Sequence, residues 1–328
     1  MIAITGASGL LGNYLVRKFA SENHRVIALK RTGSDVTALQ DVNQWIEWRD
    51  ADVTNSLSLA EVLQDATTVI HAAAIVSFDP RSKKRMFDTN ITGTQNIVNA
   101  CLENGIRHLI FISSVAALGR NKLVTDIDEE NRWVESDLNS DYAKSKYLAE
   151  LEVYRGQEEG LTVSVVNPSV ILAPANAERS SAQIFNYVVH ERKFYSDARI
   201  NYVDARDVAD LIFKLYATPC SGEKFIASAG YIPMFDLLNK IAARLGKKAP
   251  TIKISRRVIA VAAWLEELRC RITGKEALIS RQSVKMSAEK FNYLNTKSIQ
   301  QLNMTYRPLE DTLDWCCAHY KNAITTNK

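Results

Sequence analysis

Apolar and polar positions along the first half of the chain switch repeatedly between two periods. Ile2–Thr5, Arg25–Leu29, Trp45–Trp48, Thr68–His71, His108–Ile112 and Thr162–Val166 are short apolar or alternating runs that predict strands. Between them, Leu10–Ser21, Ser56–Leu63, Met86–Glu103 and Tyr142–Gly156 carry apolar residues at helical spacing. Strand and helix taking turns predicts an α/β fold, a doubly wound parallel sheet covered by helices on both faces. After Pro168 the rhythm changes. Asn201–Val203 and the helix through Asp207–Ala217 suggest one more return to the sheet, whereas 180–195 and the chain from Phe225 onward mix helices and loops. The expected division is a first unit of residues 1–170, to which 201–217 return, beside a smaller, discontinuous mixed α/β region of 171–200 and 218–328.

Composition narrows the class. With 328 residues, 46% hydrophobic and only seven prolines, the chain has enough apolar material for a core, which excludes disordered, collagen-like and disulfide-scaffold proteins. A net charge of +4 is too small to indicate nucleic acid. The five cysteines (Cys101, Cys220, Cys270, Cys316, Cys317) lack metal spacing and read as reduced thiols. The longest apolar run, Val258–Leu265, falls far short of the roughly 18 residues that span a bilayer. Met1 leads almost directly into a glycine-rich turn, so no signal peptide and no transmembrane segment are expected, and the expected location is the cytoplasm.

That turn is the first sign of chemistry. Thr5-Gly6-Ala7-Ser8-Gly9-Leu10-Leu11-Gly12 joins the first strand to the first helix. Gly6 permits a tight turn, Gly9 lets backbone approach a pyrophosphate, and Gly12 lets helix and strand pack closely. Free N–H groups across Ser8, Leu10 and Leu11, together with the helix dipole, suit phosphate charge. In a strand–turn–helix context this predicts a dinucleotide and a Rossmann-type sheet. An NAD site usually has an acid about 20 positions beyond the turn. Here Lys30 and Arg31 occupy that place, with Ser34 nearby. A guanidinium pairs with a 2′-phosphate that a carboxylate would repel, so NADP(H) is the expected cofactor, with NAD(H) the other possibility.

Tyr142-Ala143-Lys144-Ser145-Lys146 sets Tyr142 and Lys146 four residues apart on one helix face. A phenol with a reference pKa of about 10 is a poor acid or base at neutral pH, and a lysine one turn away should pull that value down. Strand His108–Ile112 ends in Ser113-Ser114, at the sheet edge where parallel α/β proteins bind ligands. A serine hydroxyl there can hydrogen-bond a carbonyl oxygen as charge builds on it.

With these pieces in order, the sequence resembles the extended short-chain dehydrogenases/reductases, nearest to the dihydroflavonol 4-reductase-like and 3β-hydroxysteroid dehydrogenase-like branch. The matching segments are TGASGLLG (5–12), DVTN (52–55), HAAAIVSF (71–78), NITGTQNIVNAC (90–101), FISSVAALG (111–119), YAKSK (142–146), VNPSVILAP (166–174) and NYVDARDVADL (201–211). The resemblance implies that Ser114, Tyr142 and Lys146 form the catalytic triad, with Lys146 also holding the nicotinamide ribose. It implies further that Asp52 and Val53 contact the adenine and that Ala72 and Ala73 line the middle of the cofactor. Pro168 and Val170 would flank the carboxamide, Asn90 would organise a helix, and His71 has no implied chemistry. A dimer through the two long helices, Met86–Glu103 and Tyr142–Gly156, is a family expectation.

Other features read as packing or solvated surface. The five tryptophans are scattered, and the five histidines lack metal spacing. Residues 246–290 hold eleven Lys/Arg against four Glu, which fits a solvated basic face. Phe78, Ile184, Phe185 and Tyr187 are candidates for an apolar pocket. The expected function is an NADP(H)-dependent oxidoreductase moving hydride between nicotinamide and a ketone, aldehyde or secondary alcohol, with Tyr142 as general acid/base. Its partner would be a small carbonyl or alcohol substrate. The rivals are a nucleotide-sugar epimerase or dehydratase with tightly held NAD, and a non-catalytic dinucleotide-binding redox sensor.

Overall fold

The structure is a computed structural model that describes residues 1–121, 124–175, 182–255, 257–259, 261, 269 and 290–326. Seven parallel strands build the central sheet. Five of them are β1 (Ile2–Thr5), β2 (Val26–Lys30), β3 (Ile46–Asp50), β4 (Thr68–His71) and β5 (His108–Ile112), and the others are Thr162–Pro168 and Glu223–Ala227. Across the sheet the order runs Glu223–Ala227, Thr162–Pro168, β5, β4, β1, β2, β3. Ile2 lies opposite Val26 on one side and Thr68 on the other, so the direction of winding reverses between β1 and β4. A crevice opens beyond the strand ends at such a reversal, and ligands of doubly wound sheets bind there.

Eight of the described helices are, in chain order, α1 (Leu10–Ser21), α2 (Leu59–Val62), α3 (Lys83–Phe87), α4 (Gly93–Glu103), α5 (Asp141–Glu158), α6 (Ala182–Val189), α7 (Ala205–Ala217) and α8 (Met234–Leu245), and Thr296–Leu302 and Leu309–Thr326 follow them. Both faces of the sheet are covered. Ile2, Ile4, Ile70 and Ile110 pack with Leu15 and Phe19 of α1 and Leu211 and Leu215 of α7. Ala3, Val69, Leu109 and Phe111, the alternate positions, pack with Leu59 of α2, Ile97 of α4 and Val153 of α5. Burial on both faces explains why these strands read as unbroken apolar runs. Each buried Ile, Leu or Phe contributes about 1.5–3 kcal/mol.

The long helix expected over Met86–Glu103 is interrupted. A wide turn at Asp88–Thr92 separates α3 from α4 and buries Asn90. Ser140 starts α5 by accepting a hydrogen bond from the Ala143 N–H at 3.0 Å, and Asp204 starts α7 in the same way through Arg206.

The second region has its own three-stranded sheet, in which Arg199–Asp204 pairs parallel with Val170–Leu172 and antiparallel with Gly230–Pro233. Strand Asn201–Val203 therefore does not return to the central sheet. α7 returns, packing on α1, and Glu223–Ala227 supplies the seventh strand. The chain passes between sheets at Ser169, with Pro168 in one and Val170 in the other. The small sheet, α6, α8 and helix Leu309–Thr326 share a separate core that includes Phe185, Leu237 and Cys316. The Thr312 hydroxyl ties this last helix to buried Asp204 at 2.8 Å.

Among the described residues, Cys101, Cys220, Cys316 and Cys317 are free thiols and no group of side chains could hold a metal ion. No described helix is long and apolar enough to cross a membrane. Cys270, Trp264, Arg256, Arg271, Lys275, Arg281 and Lys285 lie outside the described residues, as does the apolar run 258–265 apart from Val258, Ile259 and Val261.

Candidate active site

The glycine turn opens at the reversal point. Gly6 has φ +67°, and a Cβ there would stand 2.8 Å from the backbone N and Cα of Ala73. A Cβ on Gly12 would stand 2.7 Å from Ala7 Cα. The Gly9 N–H donates to the Gly6 carbonyl at 2.9 Å, closing the turn over Ala7 and Ser8. α1 then begins at Leu10 with no side-chain cap and no acid in its first turn. Its leading N–H groups at Leu10, Leu11 and Gly12 therefore have no partner within the helix and meet no competing carboxylate. A cradle that only glycine fits, ending in bare N–H donors, suits a pyrophosphate.

The turn is held from below by a histidine with no role in the sequence reading. The Thr94 hydroxyl donates to the Asn90 carbonyl at 2.6 Å, so its oxygen accepts from His71 Nε2 at 3.1 Å. His71 Nδ1 in turn accepts from the Thr5 hydroxyl at 2.7 Å, and Thr5 Oγ1 accepts the Ala73 N–H at 3.1 Å. Burial, with the charge of Lys146 adding to it, pushes the His71 pKa down to about 3, which keeps the ring neutral. Partly exposed Ala72 and Ala73 are thus fixed against Gly6. The only clue in the sequence was one imidazole at the end of an apolar strand.

At the adenine end, the two basic residues part company. Lys30 Nζ binds Asp50 at 2.5 Å, its register partner on β3, and the Thr32 hydroxyl donates to the same carboxylate. Lys30 is thereby committed within the fold, and the basic edge is carried by exposed Arg31. Asp52 accepts the Thr54 N–H and hydroxyl at 2.9 and 2.7 Å. These bonds hold its carboxyl below the usual range, and the charges of Arg31 and of Arg85, on α3, lower it further. Val53 is buried against Gly93, and its carbonyl accepts from Asn96 at 2.9 Å. Arg85 was missed because the helix that presents it lies more than fifty residues along the chain.

The remaining candidates meet at the ends of β5 and α5. The Ser113 N–H donates to the Val166 carbonyl at 2.7 Å. Ser114 Oγ accepts the Ala116 N–H at 3.2 Å, fixing the turn that follows. Tyr142 stands in the first turn of α5 with Phe78 edge-on to it, ring centroids 6.2 Å apart. Burial raises the Tyr142 pKa, and a hydrogen bond with the Ser114 side chain draws it back. Lys146 does not produce the expected lowering. Its Nζ donates to the Ile112 carbonyl at 2.7 Å and lies 4.3 Å from the centre of the Phe111 ring. Burial drives the lysine itself down to about 7.

Asn90 does more than organise its helix. Its amide exchanges hydrogen bonds with both backbone groups of Ile75, at 2.8 and 2.9 Å, and donates to Ser145 Oγ at 3.0 Å, joining loop 72–79 to α5. Pro168 is buried at the end of its strand beside Ala227, and Val170 is exposed just beyond it. Of the four pocket candidates, Phe78 lies at the site, while Phe185 is fully buried in the second core.

The model of the NAD dependent epimerase/dehydratase family matches residues 2–227. A Synechocystis protein named "Putative dihydroflavonol 4-reductase" is 27% identical, with 96% of this chain and 94% of that protein covered. The crystal structure of gox2253 superposes with a TM-score of 0.84 at 27% identity, covering 98% of each chain. UDP-glucose 4-epimerase from Thermotoga maritima, solved with UDP-glucose, has a TM-score of 0.81 at 18% identity, covering 98% of this chain and 99% of that one, a likeness of fold.

Proposed function

The chain belongs to the NAD dependent epimerase/dehydratase family of extended short-chain dehydrogenases/reductases, and we propose that it is an NADP(H)-dependent oxidoreductase acting on a ketone, aldehyde or secondary alcohol. The observation that carries this reading is the half-buried Tyr142, which burial keeps protonated, standing beside Ser114 and next to the glycine cradle. The full-length relative named as a reductase supports the reaction class. Exposed Arg31 and Arg85 around Asp52 support the 2′-phosphate.

Gly6, Ser8, Gly9 and the first N–H groups of α1 would hold the pyrophosphate, Asp52 and Val53 the adenosine, and Pro168 and Val170 the nicotinamide end. When bound, the dinucleotide supplies or accepts a hydride. In the reducing direction Ser114 holds the carbonyl oxygen by a hydrogen bond. As the carbonyl carbon gains hydride, its π electrons pass to that oxygen, which takes the phenolic proton of Tyr142. Lys146 would hold the nicotinamide ribose.

The test is a fluorescence titration of nucleotide-free protein with NADPH and NADH, followed by NADPH oxidation with a panel of ketones and aldehydes. Tighter NADPH binding with ketone-dependent oxidation is the expected result. Tighter NADH binding, with interconversion of a nucleotide sugar and no net NADPH use, would replace this reading by the epimerase.

A further inference from the structure

Val163, Val165 and Asn167 share one face of strand Thr162–Pro168, since alternate residues of a strand point the same way. The two valines pack with Val153 of α5, so Asn167 stands on the α5 side as well. A fully buried amide thus occupies a place where the pattern calls for a third apolar side chain. Such an amide is costly unless it is hydrogen-bonded. Asn167 Nδ2 donates to Glu150 Oε1 of α5 at 2.7 Å and to the Ser114 carbonyl at 3.0 Å. The amide cannot turn over without setting its own oxygen against that carbonyl, so its orientation is fixed.

The backbone ladder does not reach Ser114. Ile112 lies opposite Val166, and the Ser113 N–H donates to the Val166 carbonyl at 2.7 Å. The next bond of a parallel ladder would run from the N–H of residue 168 to the Ser113 carbonyl, and Pro168 has no N–H. Beyond that point Ser114 is held by its own turn. Its carbonyl accepts the Ala117 N–H at 2.9 Å and its hydroxyl accepts the Ala116 N–H at 3.2 Å. The Asn167 side chain supplies the cross-strand bond that the proline denies to the backbone.

We propose that Asn167 is a positioning residue of this site: its amide, braced on Glu150, fixes the Ser114 carbonyl and with it the place of the Ser114 hydroxyl beside Tyr142. The proposal rests on the reading of Ser114 and Tyr142 given above. Placement matters because a donor stabilises developing charge only when it stands roughly 2.7–3.1 Å from the oxygen that carries it. Glu150 serves in either protonation state, since a carboxylic acid and a carboxylate both present an oxygen to the amide. Neither Asn167 nor Glu150 touches the reacting atoms. They act through Ser114.

Amide hydrogen exchange on the nucleotide-free full chain reads the turn directly. Asn167→Leu keeps the shape of asparagine without its donors. It should speed exchange at the Ala116 and Ala117 N–H groups by about tenfold relative to Ile27 and Ala28 of β2. In ketone reduction it should lower kcat by about tenfold and leave NADPH affinity within about twofold. In a Ser114→Ala background the same change should cost less than about twofold, because it acts through the hydroxyl already removed. If Asn167→Leu does not fold, Glu150→Met, which takes away the bracing oxygen, goes through the same measurements, and Glu150→Gln, which keeps an oxygen, should restore most of its loss. Equal loss of kcat in both backgrounds, or a turn that exchanges no faster relative to β2, would leave these residues a packing role and overturn the proposal. Ser114→Ala by itself tests the underlying assignment: unchanged kcat there would refute the serine's role, while the exchange rates would still report whether Asn167 holds the turn.

Discussion

His71 Nδ1 and Thr5 Oγ1 meet at 2.7 Å across the boundary between β1 and β4, where the winding of the sheet reverses. The bond requires a neutral ring, since Nδ1 must accept. The pKa of His71 is depressed to about 3, against about 6.5 in an unfolded chain. The unfolded state therefore binds the proton first. Stability is complete above about pH 6.5 and is lost as pH falls toward 3, with a slope approaching about 1.4 kcal/mol per pH unit. His71→Gln should be less stable than the parent by about 1–2 kcal/mol at pH 7.5. By pH 4.5 the order should reverse, because only the parent carries this penalty, by then about 2.7 kcal/mol. Buried His108 acts in both proteins and cancels. Urea denaturation at the two pH values measures the difference, and parallel loss in both proteins would show that His71 is not the group responsible.

Gly12 and Gly93 give a matched pair of alanine tests. At Gly12 the new Cβ would meet Ala7 Cα, part of the backbone that the turn itself fixes. At Gly93 it would meet Val53 Cγ2 at 2.7 Å, a side-chain methyl and not the turn's backbone. Gly12→Ala should cost about 1–3 kcal/mol and abolish dinucleotide binding. Gly93→Ala should weaken NADPH less than Gly12→Ala, because it displaces one methyl beside the adenosine and leaves the cradle intact. Thermal melts and fluorescence titrations on both variants check the contrast. Equal loss of binding in the two would mean that general destabilisation, and not the cradle, governs affinity.

The sheet and the glycine turn were legible because β1, β4 and β5 are buried on both faces and carry nothing but apolar residues or strand-end threonine and histidine. Glu223–Ala227 was not, because it opens with two charged residues and only its last three are fully buried. Asn201–Val203 alternates as a sheet strand should, but alternation does not say which sheet. The wide turn at Asp88–Thr92 leaves no mark, since one extra residue per turn barely disturbs the apolar spacing. Within the site, the four-residue spacing that pairs Lys146 with Tyr142 pairs it equally with Glu150. Spacing gave the face of the helix, and only the Ile112 carbonyl and the burial of both groups reveal where the ammonium points.

Lys30 and Arg31 carry the same charge and differ in what they already hold. Lys30 is bound to Asp50 at 2.5 Å, whereas Arg31 and Arg85 are exposed with their charges bearing on Asp52. Lys30→Ala should therefore leave the ratio of NADPH to NADH affinity unchanged within about twofold, a free-energy difference well under 1 kcal/mol. Arg31→Ala and Arg85→Ala should each weaken NADPH by about tenfold or more, the loss of one charge-assisted contact, with NADH nearly unaffected. The preference should also fade with added salt, as exposed charges are screened. Titrations of the three variants at two ionic strengths decide it. A collapse of selectivity in Lys30→Ala alone would reverse the assignment.

Tyr142 meets the reaction in its protonated form. Burial raises its pKa above the ordinary phenol, and the hydrogen bond with Ser114 only partly offsets this. A phenol that keeps its proton is a ready donor, so carbonyl reduction should be fast at neutral pH. Alcohol oxidation needs the phenolate and should gain speed as pH rises toward the tyrosine's raised pKa. Tyr142→Phe keeps the ring against Phe78 while removing the proton, and should lower kcat for reduction by roughly 10²–10⁴-fold. NADPH affinity should stay within about twofold, because no binding contact to the cofactor is removed. Ser114→Ala should cost roughly 10²-fold in kcat, through loss of the hydrogen bond to the oxygen. Single-turnover reduction followed at 340 nm, with NADPH in excess over enzyme for the steady-state arm, separates chemistry from binding. Substantial turnover in Tyr142→Phe would remove the phenol from the proton path.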